Sequence, residues 1–165
     1  MYRCLIANRG EIAVRIIRAC REMDVETVAI YALGDETSLH VSLADQAICI
    51  GEANPLESYL NQDRIISAAK ISGATAIHPG YGFLSESTSF AQKVEENNID
   101  FIGPTQLTME MMGDKITARQ TVDDAGVPII PGSTNAVESI EEVKKISKDI
   151  GFPLVLKAAS GGGGK

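Results

Sequence analysis

The sequence predicts an α/β fold, an open parallel sheet with flanking helices. Two observations carry this. Short apolar runs such as Cys4–Ala7, Thr27–Tyr31 and Ala47–Ile50 recur along the chain, and between them lie segments whose apolar residues repeat at helical spacing. Runs that are apolar at every position are what a sheet covered on both faces requires. A length of 165 residues, with 44% hydrophobic and 22% charged content, suits a globular chain holding one ordinary domain and part of another. The formal net charge of -7 argues against a nucleic-acid or anionic-membrane surface. No apolar run approaches the ~20 residues of a membrane helix, and the first residues lack the layout of a signal peptide. The expected location is therefore the cytoplasm.

Cys4–Ala7 reads as the first buried strand, and Asn8-Arg9-Gly10-Glu11 as the turn after it, with Asn8 or Gly10 placed to cap a helix. From Glu11 to about Met23, residues Ile12, Ala13, Ile16, Ile17, Cys20 and Met23 form one apolar stripe, leaving Arg15, Arg18 and Glu22 on other faces. Strand, helix and the Thr27–Tyr31 strand together have the length of one βαβ unit. A single glycine in the first turn, Gly10, is too few for the G-x-G-x-x-G of dinucleotide binding. His40, with no Asp or Cys at an informative spacing, reads as structural or surface. Cys4, Cys20 and Cys49 are an odd set with no C-x-x-C spacing and read as small buried hydrophobes.

A helix marked by Ile65, Ile66, Ala68, Ala69 and Ile71 is closed by Gly73, and Ala74–Ile77 forms the fourth strand. That strand runs into His78-Pro79-Gly80-Tyr81-Gly82-Phe83-Leu84-Ser85-Glu86. A Gly- and Pro-rich loop beyond the carboxyl end of a strand lies where open α/β sheets bind ligands, although a rigid structural crossover would use the same residues. Ser85 is placed to cap the next helix, which buries Phe90, Ala91 and Val94, and Ile99–Ile102 is the fifth strand. Leu107, Met109, Met111 and Met112 read as core.

Asp114 is the expected cap of a helix running to Ala125. Lys115 beside it opposes the helix dipole, a placement that an anionic partner would explain. Gly126–Gly132, with Pro128 and Pro131, is the best candidate boundary. Val137–Ile150 is an amphipathic helix with Glu138, Glu141 and Glu142 early and lysines late, and Pro153 opens a strand carrying Lys157. The chain ends in Gly161–Gly164 between Lys157 and Lys165. Four glycines are entropically costly and expose N–H groups that can cradle an anion, so a nucleotide-phosphate loop is expected over a flexible linker. Ala159–Lys165 also nearly fits a P-loop, whose Ser or Thr would be residue 166, so the loop alone does not separate two nucleotide folds.

The segments IANRGEIAVRIIRAC, ADQAICIG, SYLN, AIHPGYGFLSE, FIGP, MGDK, AGVPIIPGS and LVLKAASGGGGK, in this order, resemble the N-terminal part of biotin carboxylases from Arg3 to Lys165. The resemblance implies a Rossmann-like, pre-ATP-grasp domain at 1–112, a connecting helix and linker at 113–132, and the incomplete lid of an ATP-grasp domain at 133–165. In that fold the glycine loop joins antiparallel lid strands. By likeness, Lys115, Lys157, Gly163 and Gly164 contact ATP, Tyr81 and Gly82 lie near biotin, and Arg15, Arg18 and Glu22 belong to a homodimer contact. The implied reaction uses ATP, Mg2+ and bicarbonate to carboxylate biotin on a biotin carboxyl carrier protein. Bicarbonate is phosphorylated, CO2 is released from it, and the ureido nitrogen of biotin attacks. Carboxyltransferase subunits are the implied further partners, with no nucleic acid and no membrane.

The family's magnesium-binding carboxylates, its bicarbonate- and biotin-handling Arg and Glu residues and most adenine contacts follow the glycine loop, so no catalytic or metal residue is expected within these 165 residues. A fragment, inactive on its own, is the expectation, with an unpaired and exposed apolar face at Leu154–Leu156 and a mobile or rearranged segment after Gly132. Met112 before Gly113-Asp114-Lys115 resembles the acetyl-CoA carboxylase branch more than pyruvate carboxylase. A noncatalytic dimerisation or docking module and an unrelated P-loop nucleotidase are the competing readings.

Overall fold

A computed structural model describes residues 2–133 and 135–156, the Lys115 side chain excepted. They fall in two compact units, Met1–Gln106 and Leu107–Lys165. In the first, strands β1 (Arg3–Ile6), β2 (Glu26–Tyr31), β3 (Gln46–Cys49), β4 (Ala76–His78) and β5 (Asp100–Phe101) form one sheet in the order β3-β2-β1-β4-β5. All pairings are parallel. Helices α1 (Gly10–Glu22), α2 (Leu39–Leu43), α3 (Gln62–Ser72) and α4 (Thr88–Glu96) connect them.

The uninterrupted apolar run of β1 has a direct cause. As the central strand it is buried on both sides. Cys4 and Ile6 join Ala13, Ile16 and Ile17 of α1, while Leu5 and Ala7 join Val28, Ile30 and the buried residues of α3 and α4. Phe90 meets Phe101 edge-on, with centroids 6.1 Å apart, an arrangement worth about 1 kcal/mol beyond simple burial. Since β1 sends its chain to one face and β4 sends its chain to the other, the strand order reverses between them. The carboxyl ends of these two strands form the switch point of the sheet.

Several local expectations hold. Gly73 closes α3 in the left-handed conformation, and Phe90, Ala91 and Val94 are buried. Others change. Arg9, not Asn8 or Gly10, is the N-cap residue of α1; its guanidinium has no acceptor and makes no cap bond, while the Asn8 side chain bonds Pro79, Tyr81 and the Arg9 N–H. Met23 falls past the last turn of α1 and is 74% exposed, its place in the buried stripe going to Val14. Ser87, not Ser85, caps α4: the chain is still turning at Ser85, whose N–H donates to the Gly82 carbonyl. Cys49 is exposed, since β3 is an edge strand, whereas Cys4 is buried and Cys20 partly so. His40 is buried and structural, its Nε2 lying 3.2 Å from the Ile30 carbonyl.

The second unit holds α5 (Gln106–Gly113) from its second residue on, α6 (Lys115–Asp124) and α7 (Ile140–Ile150). Met109 is buried, but Leu107, Met111 and Met112 are exposed, against the reading of all four as core. Asp114 caps α6 by accepting from the N–H groups of Ile116 and Thr117. Helix α7 begins later than periodicity suggests, because Ser139 caps it and Glu142 reaches back to the Glu138 N–H. Residues 154–156 form no strand, and Val155 and Leu156 are exposed, as expected of apolar residues without a pairing partner. Among the described residues no helix is long and apolar enough to cross a membrane.

Candidate functional site

The sequence places one Gly-rich loop, 78–86, directly after the strand that flanks β1, so the switch point is where site chemistry is sought. The loop enters on β4 and is fastened from below by the first residues after β1. Asn8, 1% exposed, donates through Nδ2 to the Pro79 carbonyl at 2.8 Å and to the Tyr81 carbonyl at 2.9 Å. Its Oδ1 accepts from the Arg9 N–H. His78 Nδ1 accepts from the Gly80 N–H at 3.0 Å, which fixes that nitrogen as unprotonated, and burial pushes the His78 pKa down in accord.

Three of four consecutive residues in this loop take positive φ: Gly80 at 70°, Gly82 at 68° and Phe83 at 42°. For an aromatic residue this conformation is costly and persists only where neighbours hold it. The Phe83 ring stacks on Tyr59 at 5.4 Å and 7°, and the Arg9 guanidinium lies 5.3 Å from the Tyr59 centroid and 5.9 Å from that of Phe83. Arg9 also pairs with Asp35 at 3.4 Å. The Tyr59 hydroxyl donates to Asp35 at 2.6 Å and accepts from the Ala32 N–H at 3.0 Å. Burial first, and the Asp35 carboxylate second, push the Tyr59 pKa far up, so it is a fixed donor at any working pH. On this frame Tyr81 stands 68% exposed and Gly82 is exposed beside it.

Arg15, Arg18 and Glu22 lie exposed along α1, spaced three and four apart and so on one side of the helix. Arg15 and Arg18, with Leu39 and His40 of α2, border a shallow cavity of about 480 Å³. Lys115 is the first residue of α6. Lys157, Gly163 and Gly164 lie outside the described residues. Among the described residues no group of His, Cys, Asp and Glu side chains converges as a metal ion would need.

Comparison with known proteins bears on this arrangement. Residues 1–109 match the family described as "Biotin carboxylase, N-terminal domain". The chain belongs to the biotin carboxylase family. Residues 114–165 match a second family, "Carbamoyl-phosphate synthase L chain, ATP binding domain". Biotin carboxylase 1 of Bacillus subtilis is 54% identical over 98% of the chain, and the chain spans 36% of that relative. A biotin carboxylase structure from Campylobacter jejuni, a complex with β,γ-ATP, superposes with a TM-score of 0.91 at 50% identity, covering 98% of this chain and 36% of that one. The dimeric biotin carboxylase domain of Hydrogenobacter thermophilus 2-oxoglutarate carboxylase, solved with MgADP, ADP and bicarbonate, gives 0.88 at 52% identity, covering 98% of this chain and 35% of that one. The chain thus spans about a third of the biotin carboxylases it matches.

Sequence reasoning singled out Tyr81 and Gly82 but missed the frame beneath them: Asn8, Arg9, Asp35, Tyr59 and Phe83. A signal existed for the first two. They follow directly on the central strand, at the carboxyl end where α/β sheets gather their site residues. Nothing in the local sequence marks Tyr59, 51 positions from Asn8, as part of the same cluster.

Proposed function

We propose that this chain is the N-terminal part of an ATP-dependent biotin carboxylase, which carboxylates carrier-bound biotin with bicarbonate in the first half-reaction of acetyl-CoA carboxylase, a step toward fatty acid synthesis. The observation that supports it most is 54% identity to a biotin carboxylase over nearly the whole chain. In this reading 1–112 is the Rossmann-like domain, 113–132 the connection, and 133–165 the start of the ATP-grasp lid. Tyr81 and Gly82 face biotin, while Lys115, Lys157, Gly163 and Gly164 contact ATP.

The described residues fit this nucleotide role in part. Asp114 already accepts from the N–H groups of Ile116 and Thr117 at the start of α6, so those two amides are not free to bind a phosphate. Magnesium, where bound, spreads the phosphate charge.

The competent protein is a cytoplasmic homodimer in contact through Arg15, Arg18 and Glu22, working with a biotin carboxyl carrier protein and carboxyltransferase subunits. Full-length protein should release ADP in proportion to bicarbonate and carboxylate free biotin, whereas the 165-residue chain should do neither. Bicarbonate-dependent ADP release by the purified chain refutes the division of labour. Carboxyl transfer to pyruvate or 2-oxoglutarate in place of acetyl-CoA would reassign the system while keeping the half-reaction. Changing Arg18 and Glu22 should convert a sedimenting dimer to monomer.

A further inference from the structure

We propose that Asn8 is a positioning residue for the loop bearing Tyr81 and Gly82, fixing the direction in which the Gly82 N–H is presented; this rests on the reading that the loop faces biotin. A side-chain amide nitrogen carries two hydrogens. Both are used here, on carbonyls two residues apart in the same loop.

The geometry of the peptide unit supplies the rest. In a trans peptide the C=O and the following N–H point in opposite directions. The 79–80 unit is held at both ends, its carbonyl by Asn8 and its N–H by His78 Nδ1. The 81–82 unit is held at its carbonyl alone, so its N–H is turned away from Asn8. Among the described residues the Gly82 N–H makes no hydrogen bond, and Gly82 itself is exposed. Asn8 therefore leaves an outward-facing backbone donor, suited to an acceptor oxygen of a ligand. Without Asn8, a segment with glycines at 80 and 82 has many alternative conformations. Gly80 supports the same view: a Cβ there would lie 2.7 Å from Asn8 Nδ2 and 2.7 Å from Ile12 Cγ2, so loop and amide are in closest approach.

The test uses full-length protein and free biotin. Asn8→Ala should lower kcat/KM for biotin by about tenfold to a hundredfold, the usual cost of losing a group that orients a contact residue. The KM for ATP and the bicarbonate-dependent ATP cleavage measured without biotin should change less than about twofold, since the residues proposed to contact ATP are different ones. Asn8→Asp, which keeps the volume but sets a carboxylate oxygen against the Pro79 and Tyr81 carbonyls in place of the donor nitrogen, should lower kcat/KM for biotin at least as much. Equal losses in the biotin and ATP readouts, or no loss in either, overturn the proposal, as does failure of both variants to fold, because Asn8 would then act on folding and not on the loop. Gly82→Ala separates this from the underlying reading. If it leaves the biotin KM unchanged, the loop does not face biotin; if it raises that KM while Asn8→Ala does not, the positioning role alone fails.

Discussion

Gly80→Ala and Gly82→Ala make the sharpest physical comparison in this molecule, because the two glycines share a loop and nearly the same φ, 70° and 68°. A side chain in the left-handed region costs roughly 1–2 kcal/mol, and this cost is common to both. The surroundings differ. A Cβ at Gly82 meets nothing within 4 Å, whereas one at Gly80 meets Asn8 and Ile12 at 2.7 Å. To admit it, Asn8 must withdraw from Pro79 and Tyr81, at about 1 kcal/mol per hydrogen bond, and a buried Asn amide is left unpaired. We expect Gly82→Ala to cost about 1 kcal/mol and Gly80→Ala about 3–4 kcal/mol. With a urea dependence of roughly 1.5–2 kcal/mol per molar, the unfolding midpoint should fall by about 0.5 M in the first case and about 2 M in the second. Urea titrations of the two variants of this chain, followed by far-UV circular dichroism, measure both. Midpoints within about 0.3 M of each other would refute the account, since only the shared backbone cost would then be felt.

Tyr59→Phe should cost about 2 kcal/mol, because it leaves the buried Ala32 N–H without its acceptor and removes the donor to Asp35; an unchanged urea midpoint would contradict this. Asp114→Ala should cost about 1 kcal/mol through the two N–H groups that its carboxylate satisfies at the start of α6, read as faster amide exchange at Ile116 and Thr117. Burial pushes the pKa of both histidines, His40 and His78, below the ordinary value, so the folded chain holds them neutral and unfolding takes up protons. Stability should be at its plateau above the unfolded value of about 6.5 and fall as pH drops through it toward the lower folded values. A flat unfolding free energy between about pH 7.5 and pH 5.5 would argue that neither imidazole is held neutral. The exposed apolar residues Val155 and Leu156, in a segment with no strand, predict fast amide exchange at 154–156 in this chain, and strong protection there would show a pairing not seen in the structure.

What the sequence determined by itself was the alternation of elements and the two-faced burial of β1, because periodicity and unbroken apolar runs are local properties. The Gly73 stop and the Asp114 cap were equally legible, being matters of one residue and its immediate neighbours. The order of short motifs was enough to indicate the family. Tertiary structure alone decided the rest. Asn8 looked like a helix cap, and only the parallel pairing of β1 with β4 brings it to Pro79 and Tyr81, 71 and 73 residues away. Ser85 yielded the cap to Ser87 because the loop turns for two residues more, and the three methionines and Leu107 could not be sorted into inside and outside by type. A hydrogen bond across the sheet depends on which strands become neighbours, and strand order is set by packing of the whole domain rather than by any stretch of residues that forms a turn or a helix.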